Sequence, residues 1–303
     1  MSEEKSLNNS QLEEFQQNGY LLLKGILDPA ECQQFDVNTV QPALQQNSGI
    51  DPNDSNTWNT DRLKSMATGD YNDKQANILP GVMVRKEDGC DPIPDERNLD
   101  LSPLKPILDQ LHGDSNAWEW MHKNVGWIHV RFPLDIEERV EAKDLNTWHV
   151  DGGHFTPHFV DSPEQSVIVL PMIRPVSVGG GNTLVLKKSH IYMAQRLAQA
   201  GKDGIPKEET QNANEIARMW PENLIAEMAP CEAGDVLLLH PFLVHAAGQA
   251  CKGHPLRIAF NMGLRWRRKP ILDAEDVLEE QHGWLEKSMY WSLNQSLDFL
   301  PRS

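Results

Sequence analysis

The stretch Trp148-His149-Val150-Asp151-Gly152-Gly153-His154 decides how the rest of the chain is interpreted. In an extended segment side chains alternate between two faces, so His149 and Asp151 project together. The two glycines end the segment and allow a sharp turn. An imidazole and a carboxylate on one face are two ligands of a metal site, and another histidine would complete the triad of non-haem iron(II) oxygenases. A surface histidine beside a turn aspartate is the alternative, and His-x-Asp alone does not separate the two.

The sequence around this stretch is typical of a β-rich domain. From residue 125 onward, short apolar runs alternate with turn signals rich in glycine and proline. Many short strands at this spacing indicate a β-sandwich or jelly roll. The runs predicted as strands are 126–132, 145–151, 166–173, 182–186, 235–240, 243–247 and 256–264.

Helical patterns lie on both sides of this region. Ser10-x-x-Glu13 matches a capping box, and Asp28-Pro29 predicts a helix start with the helix continuing to about Gln45. Further helices are predicted at 101–111, 191–200, 274–281 and 284–293. We expect one domain over 1–303, with N-terminal support in 10–124, a jelly-roll core in 125–266 interrupted by an insertion at 191–230, and C-terminal helices in 270–297.

Composition narrows the classes of function. The chain has 303 residues, 39% of them hydrophobic, and a formal charge of -16. This charge disfavours nucleic acid and anionic membrane surfaces. The 4 cysteines form no C-x-x-C pair, and no apolar run reaches the length of a membrane span. We therefore expect a cytoplasmic protein whose partner is neither a nucleic acid nor a membrane.

The third metal ligand is predicted to be His245. The candidates are the histidines that lie in or near the apolar runs, namely His154, His158, His190, His240, His245 and His254. Pro241 lacks an N–H and breaks the strand after His240, which makes His240 a core histidine. His245 then begins a new strand, followed by small residues that leave room beside a metal. His154 is the main rival, although it would have to fold back across the glycine turn to reach His149.

Arg257 is a candidate for anion binding. In the run 256–264, alternation puts Arg257, Ala259 and Asn261 on one face. An arginine among small residues inside a sheet structure needs an anionic partner. A guanidinium binds a carboxylate through two parallel hydrogen bonds, so the expected partner is a carboxylate.

These motifs, in this order, resemble the phytanoyl-CoA dioxygenase family of iron(II)- and 2-oxoglutarate-dependent dioxygenases. The resemblance includes His149-x-Asp151, His245 and Arg257. It extends to three longer motifs, which are Phe15-x-x-x-Gly19-Tyr20-Leu21-Leu22-Leu23-Lys24-Gly25, Gly181-Asn182-Thr183-Leu184 followed by Ser189-His190, and Gly234-Asp235-Val236-Leu237-Leu238-x-His240-Pro241-x-Leu243-x-His245. These pieces span residues 11 to 264.

The resemblance implies a mainly β fold with supporting helices around a double-stranded β-helix, the jelly-roll or cupin-like core. It implies that His149, Asp151 and His245 bind Fe(II) and that Arg257 binds the distal carboxylate of 2-oxoglutarate. Oxygen would be consumed, and succinate and CO2 released, as a substrate is hydroxylated. Related halogenases have a small residue in place of the carboxylate, so Asp151 argues against halogenation. Arg131 is a candidate second cation for a carboxylate, with a structural ion pair as the alternative.

Two features of the family pattern are missing here. Ala247 stands where some members have a hydroxyl residue, and no tryptophan occurs in the run 166–172.

The first hypothesis for the function is a hydroxylase of a small organic molecule, and the second is a hydroxylase of a peptide or protein. A non-catalytic or zinc-bound jelly-roll module is the third. The polar excursions at 49–61, 86–98 and 202–214 would close a pocket or grip a polypeptide, and the net charge disfavours a CoA thioester.

Overall fold

The protein was analysed as a computed structural model that describes residues 6–58, 81–84, 99–121, 127–133, 139–152, 155, 157–273 and 282–300. Ten strands form two sheets within these residues. The strands are β1 Tyr20–Leu23, β2 Gly81–Val84, β3 Trp118–Trp120, β4 Trp127–Arg131, β5 Ile168–Pro171, β6 Thr183–Leu186, β7 Ile225–Glu227, β8 Val236–Leu239, β9 His245–Ala247 and β10 Arg257–Trp266.

The large sheet has the strand order β1-β8-β5-β10-β4-β2, and β3 pairs with the C-terminal part of β10. All of these pairs are antiparallel. The small sheet has the order β7-β6-β9, and an isolated bridge between His149 and His245 extends it. The predicted class, mainly β of the jelly-roll type with supporting helices, is confirmed. The described strands do not close into a barrel.

The centre of both sheets is made by strands that are apolar on both faces. All four residues are buried in β5, in β6 and in β8. A strand needs no polar face when helices or a second sheet cover both sides of it. The predicted strands at 166–173, 182–186 and 235–240 are therefore confirmed, and their apolar runs supply much of the core.

The helices are α1 Asn9–Asn18, α2 Pro29–Phe35, α3 Gln41–Ser48, α4 Lys105–His112, α5 Ser189–Ala200, α6 Lys207–Gln211, α7 Asn214–Met219 and α8 Trp284–Leu293. A π-helical turn, Asp36–Val40, joins α2 to α3, so the predicted helix from Asp28 continues past Gln45. The predicted helix at 274–281 lies outside the described residues. Among the described helices, none combines the length and the apolar character that a membrane crossing requires.

The predicted capping box at the first helix was placed two residues too late. The N-cap is Asn8, whose side chain accepts a hydrogen bond from the Gln11 backbone N–H at 3.0 Å. The Gln11 side chain in turn accepts from the Asn8 N–H at 3.0 Å. Asparagine caps as well as serine does, so Ser10 lies inside the first turn instead of preceding it.

The predicted strand at 145–151 is not formed as a strand. His149 alone makes a β-bridge there, while the Val150 N–H donates to the carbonyl of Thr210 at 2.8 Å. Thr210 belongs to the stretch predicted as an insertion, 191–230. The same stretch contains β7, which pairs with β6 in the small sheet. Residues after α5 therefore support both the small sheet and the His149 segment.

Candidate active site

A cavity of about 260 Å³ lies between the two sheets and contains the predicted site residues. The large sheet contributes side chains from β4 and β10, and the small sheet contributes side chains from β6 and β9. The segment before Gly152 forms a third wall. The principal lining residues are His129, Arg131, Arg257, Ala259, Asn261, Thr183, His245, Ala247, His149 and Asp151.

His149, Asp151 and His245 converge in this cavity. Their potential ligand atoms all lie within 4.8 Å of one another. Asp151 Oδ1 is 3.2 Å from His149 Nε2 and 3.8 Å from His245 Nε2. The backbones of His149 and His245 also exchange two hydrogen bonds, at 3.0 and 2.9 Å, which fixes the two imidazoles side by side.

Each imidazole is oriented by a backbone carbonyl two residues earlier in the chain. His149 Nδ1 lies 2.8 Å from the Thr147 carbonyl oxygen, and His245 Nδ1 lies 3.0 Å from the Leu243 carbonyl oxygen. A carbonyl only accepts hydrogen bonds, so the Nδ1 atoms carry the protons. The Nε2 lone pairs are then directed at the shared centre, which is the arrangement that histidine metal ligands require.

Asp151 is held from its other side by Asn261. The Asn261 side-chain amide donates to Asp151 Oδ2 at 2.6 Å, which leaves Oδ1 facing the histidines. Burial acts to raise the pKa of Asp151, but the hydrogen bond from His149 and the neighbouring His245 outweigh it and hold the pKa far below its usual range. Asp151 is therefore a carboxylate, the form that binds a metal.

Gly152 is a position where the conformation requires glycine. Its φ is +112°, and an added Cβ would lie 2.5 Å from His158 Nε2. That imidazole instead binds the Gly152 carbonyl oxygen at 2.8 Å. His158, a candidate ligand from the sequence, thus fixes the turn directly after Asp151 and does not join the cluster.

The pKa values of the two histidines of the cluster shift in opposite directions. Burial lowers the pKa of His149, but the hydrogen bond and charge of Asp151 exceed this effect and raise it overall. Burial and the neighbouring His149 lower the pKa of His245 to about 4, so His245 is neutral near pH 7.

Arg257 lies in the cavity on the same face of β10 as Asn261. It is 7% exposed, and its Nη2 donates to Thr183 Oγ1 of the small sheet at 2.8 Å. Its Nε has no hydrogen-bond partner among the described residues. Arg131 is its register partner on β4. Burial and the adjacent Arg131 lower the pKa of Arg257 to about 10, so it stays charged and needs an anion.

His129 is a cavity residue that the sequence analysis missed. It lies two residues before Arg131 on β4, opposite Ala259, and its Nε2 has no hydrogen-bond partner among the described residues. Burial and the charge of Arg131 lower its pKa to about 3, so it is a neutral imidazole. Alternation from Arg131 along the predicted strand was the available signal, because residues two apart share a face.

The remaining histidine candidates lie elsewhere. His190 and His240 are fully buried and in ring contact, with centroids 4.9 Å apart. His254 Nδ1 is 3.3 Å from Ser177 Oγ at the surface. His154, the main rival of His245 as the third ligand, lies outside the described residues.

A β-sandwich that carries two histidines and one carboxylate around a cavity is typical of non-haem iron oxygenases. Comparison with protein families agrees, because the model of the family described as "Phytanoyl-CoA dioxygenase (PhyH)" matches residues 15–251. The chain belongs to this family, as its motifs predicted. It is therefore a dioxygenase of the class that uses iron and 2-oxoglutarate.

Solved structures similar to this chain are distant in sequence. EvdO2 from Micromonospora carbonacea var. aurantiaca is 13% identical over 90% of this chain and 96% of that one, with a TM-score of 0.48. HygX from Streptomyces hygroscopicus, solved with nickel and 2-oxoglutarate, is 14% identical over 89% and 94%, with a TM-score of 0.46. The epimerase SnoN, solved with Fe3+, alpha ketoglutarate and nogalamycin RO, is 14% identical over 84% and 82%, with a TM-score of 0.46. Curated protein sequences give no match.

Proposed function

We propose that this dioxygenase hydroxylates a small organic molecule, with His149, Asp151 and His245 as the ligands of Fe(II). The overall reaction converts substrate, 2-oxoglutarate and O2 into hydroxylated substrate, succinate and CO2. The observation that carries the proposal is the convergence of two Nε2 atoms and one carboxylate oxygen within 4.8 Å. Bound iron and 2-oxoglutarate together supply the activation of oxygen.

The donor set fits iron(II). Two imidazoles and one carboxylate would hold the iron and would leave positions open for cosubstrate and oxygen. The hydrogen bonds from Asn261 to Asp151, and those between the Nδ1 atoms and backbone carbonyls, are the outer contacts that fix such ligands. A structural zinc site is usually closed by four protein ligands. Since the cluster has three ligands among the described residues and opens into a cavity, it supports a catalytic site over a binding module.

The cavity also fits 2-oxoglutarate. We assign Arg257 to its distal carboxylate, with Thr183 Oγ1 holding the guanidinium 2.8 Å away. Thr183 is the register partner of Ala247, the position at which some relatives have a hydroxyl residue. We assign Arg131 to the same carboxylate, because it faces Arg257 in the strand register and lines the same cavity.

The fate of the substrate follows from Asp151. A carboxylate at this position occupies a coordination site that a halide would need, which supports hydroxylation over halogenation.

The walls between Arg257 and the triad are small or apolar at Ala246, Ala247 and Ala259. The volume of about 260 Å³ is small for a ligand site, which favours a small molecule over a folded polypeptide.

The test is succinate formation from 2-oxoglutarate by protein purified anaerobically and supplied with Fe(II) and then oxygen. Slow turnover without added substrate, absent in Asp151→Ala, is expected. His240→Gln is the matched control, because it changes a buried histidine outside the cluster. Absence of both turnover and any iron-dependent visible absorption on adding 2-oxoglutarate would contradict the proposal.

A further inference from the structure

The wall of the cavity beside His149 is made by a segment that is remote in sequence, residues 205–214. Thr210 O accepts from Val150 N at 2.8 Å, and Gln211 Nε2 donates to Val150 O at 3.0 Å. On the other side of His149, Ala213 N donates to Trp148 O at 2.9 Å. Because these bonds use backbone groups on both sides of a cluster residue, the segment is fixed relative to the triad.

Beyond this wall lies an open cleft of about 330 Å³, here called the polar annex, whose lining is largely exposed to solvent. Its lining is Asn146, Gln211, Asn212, Asn214, Glu215 and Arg218. Asn146 and Gln211 also line the cavity that contains the triad, so the annex adjoins it. Every lining side chain is an amide or an ion, whereas the inner cavity is also lined by alanines, Leu170 and Phe260.

The charges within the polar annex cancel. Arg218 Nη1 donates to the carboxylate of Glu215, and Arg218 Nη2 donates to Asn146 Oδ1 at 3.3 Å. The other four lining residues are neutral amides, each with two N–H donors and one carbonyl acceptor. Asn214 Nδ2 donates to Asn212 Oδ1, so Asn212 presents its amide nitrogen to a ligand, while Gln211 presents its carbonyl oxygen. The annex therefore offers a donor and an acceptor without a surplus charge. A neutral ligand with several hydroxyl groups satisfies such a lining, whereas an anionic ligand would find no uncompensated cation.

The orientation of Gln211 is set by its bond to Val150. Its amide nitrogen is turned toward the Val150 carbonyl, so its Oε1 is the end that remains to accept a hydrogen bond from a ligand. Val150 lies between His149 and Asp151 in the chain. A hydroxyl group bound by Gln211 is thus held beside the backbone segment that carries His149 and Asp151, the two proposed iron ligands.

We propose that the polar annex binds the polar part of the substrate, and that the substrate is a neutral, hydroxyl-rich small molecule of the sugar or cyclitol class. This inference rests on the proposed function. Gln211 and Asn212 contact the hydroxyl groups and set which C–H bond faces the triad. A CoA thioester does not fit, because its phosphates would meet a neutral annex on a chain of formal charge -16.

The first experiment measures succinate formation at saturating 2-oxoglutarate with four probe sets. These are neutral monosaccharides with myo-inositol, short carboxylic acids, acyl-CoA thioesters and hexapeptides, each at about 10 mM, above ordinary KM values. A neutral polyol is expected to stimulate turnover at least about 5-fold and to gain one oxygen atom by mass spectrometry. Stimulation restricted to the other sets, or no stimulation by any polyol, overturns the inference.

The same experiment separates the two proposals. Uncoupled succinate formation in the wild type without stimulation by a polyol removes the inference and leaves the dioxygenase function in place. Absence of uncoupled turnover, together with absence of iron-dependent absorption, removes the proposed function itself.

The second experiment measures equilibrium binding of the stimulating polyol to metal-free protein by calorimetry. Asn212→Leu and Gln211→Leu are each expected to weaken binding about 2- to 10-fold, the range for loss of one neutral hydrogen bond. Gln46→Leu, an exposed glutamine on α3, is the matched control and should bind as the wild type does. Wild-type affinity in both annex variants overturns the inference. Glu215→Gln uncovers Arg218 and should improve binding of the corresponding sugar acid about 2- to 5-fold.

Discussion

Two pairs of histidines lie in similar ring contact, and one is proposed to bind iron while the other is not. The rings of His149 and His245 have centroids 4.4 Å apart, and those of His190 and His240 have centroids 4.9 Å apart. In the first pair, both Nδ1 atoms face carbonyls and Asp151 faces both Nε2 atoms. In the second pair, His190 binds the Gln16 carbonyl through Nε2, and the backbone N–H of Phe242 donates to His240 Nδ1.

The comparison shows that burial and proximity do not define a metal site. His190 Nδ1 and His240 Nε2 have no partner among the described residues, yet no carboxylate of those residues joins them in a ligand cluster. Their surroundings are apolar, with Phe15 and Phe242 in ring contact with His240. A carboxylate and a common direction of Nε2 are what distinguish the first pair.

The largest expected effect comes from removing a member of the triad. Asp151→Ala, His149→Ala and His245→Ala should each lower iron-dependent succinate formation by more than about 100-fold, because loss of a ligand exceeds loss of an outer contact. His240→Gln should retain turnover in the folded fraction. Full activity in His245→Ala, with loss in His240→Gln or His154→Ala, would show that the wrong histidine was chosen.

Arg257→Ala is expected to raise the 2-oxoglutarate concentration needed for half-maximal turnover by about 30-fold or more. The variant removes one partner of a buried charge pair, a change that typically costs about 2–5 kcal/mol. Arg257→Lys should recover part of the loss, since it keeps the charge without the two-pronged geometry. Titration of 2-oxoglutarate against succinate formation measures both. An unchanged requirement in Arg257→Ala would exclude its assigned role.

Asn261→Ala tests whether the orientation of Asp151 matters apart from its presence. Loss of the 2.6 Å hydrogen bond to Oδ2 should weaken iron binding about 10-fold, at the lower end of the range for outer contacts of metal ligands. Anaerobic iron titration followed by visible absorption with 2-oxoglutarate gives the affinity. Wild-type iron affinity in this variant would mean that Asp151 is positioned by the backbone alone.

The buried pair His190 and His240 should affect how the free energy of unfolding depends on pH. Burial lowers the pKa of His190 to about 4, below the value of about 6.5 expected in the unfolded chain. The unfolded state then binds more protons between these values, so the free energy of unfolding falls as the pH falls from about 6.5 to 4. His190 contributes at most about 1.4 kcal/mol for each pH unit. His190→Gln should reduce the slope of unfolding free energy against pH, measured by urea denaturation, and an equal slope would contradict this assignment.

The sequence predicted the strands whose apolar runs carry their own signal. β5, β6 and β8 are buried along their whole length, and the alternation in β10 places Arg257 and Asn261 together in the cavity. The segment 145–151 was harder, because its backbone is paired with Thr210 and Ala213, residues in a polar stretch without periodicity. No local pattern in either segment indicates that partnership.

The site was predictable to the extent that its chemistry is local. His149 and Asp151 are two residues apart, and their common face follows from strand geometry. His129 and the polar annex depend on which distant segments meet, which the sequence does not state. The hydrogen bonds of Gln211 and Asn214 with the His149 segment are an example. Gln211 donates to Val150 O and Asn214 accepts from Trp148 N, from 61 and 66 positions away in the chain.

The mutual hydrogen bonds between His149 and His245 have a consequence for folding. The two residues are the ends of a loop formed by residues 150–244, and that loop must close before both imidazoles can meet. An ion held by both ends acts as a removable cross-link. For a covalent link closing a loop of about 100 residues, chain entropy alone is worth about 4.7 kcal/mol. Iron binding should thus stabilise the folded state only after this loop has closed. A chelator should remove that stabilisation.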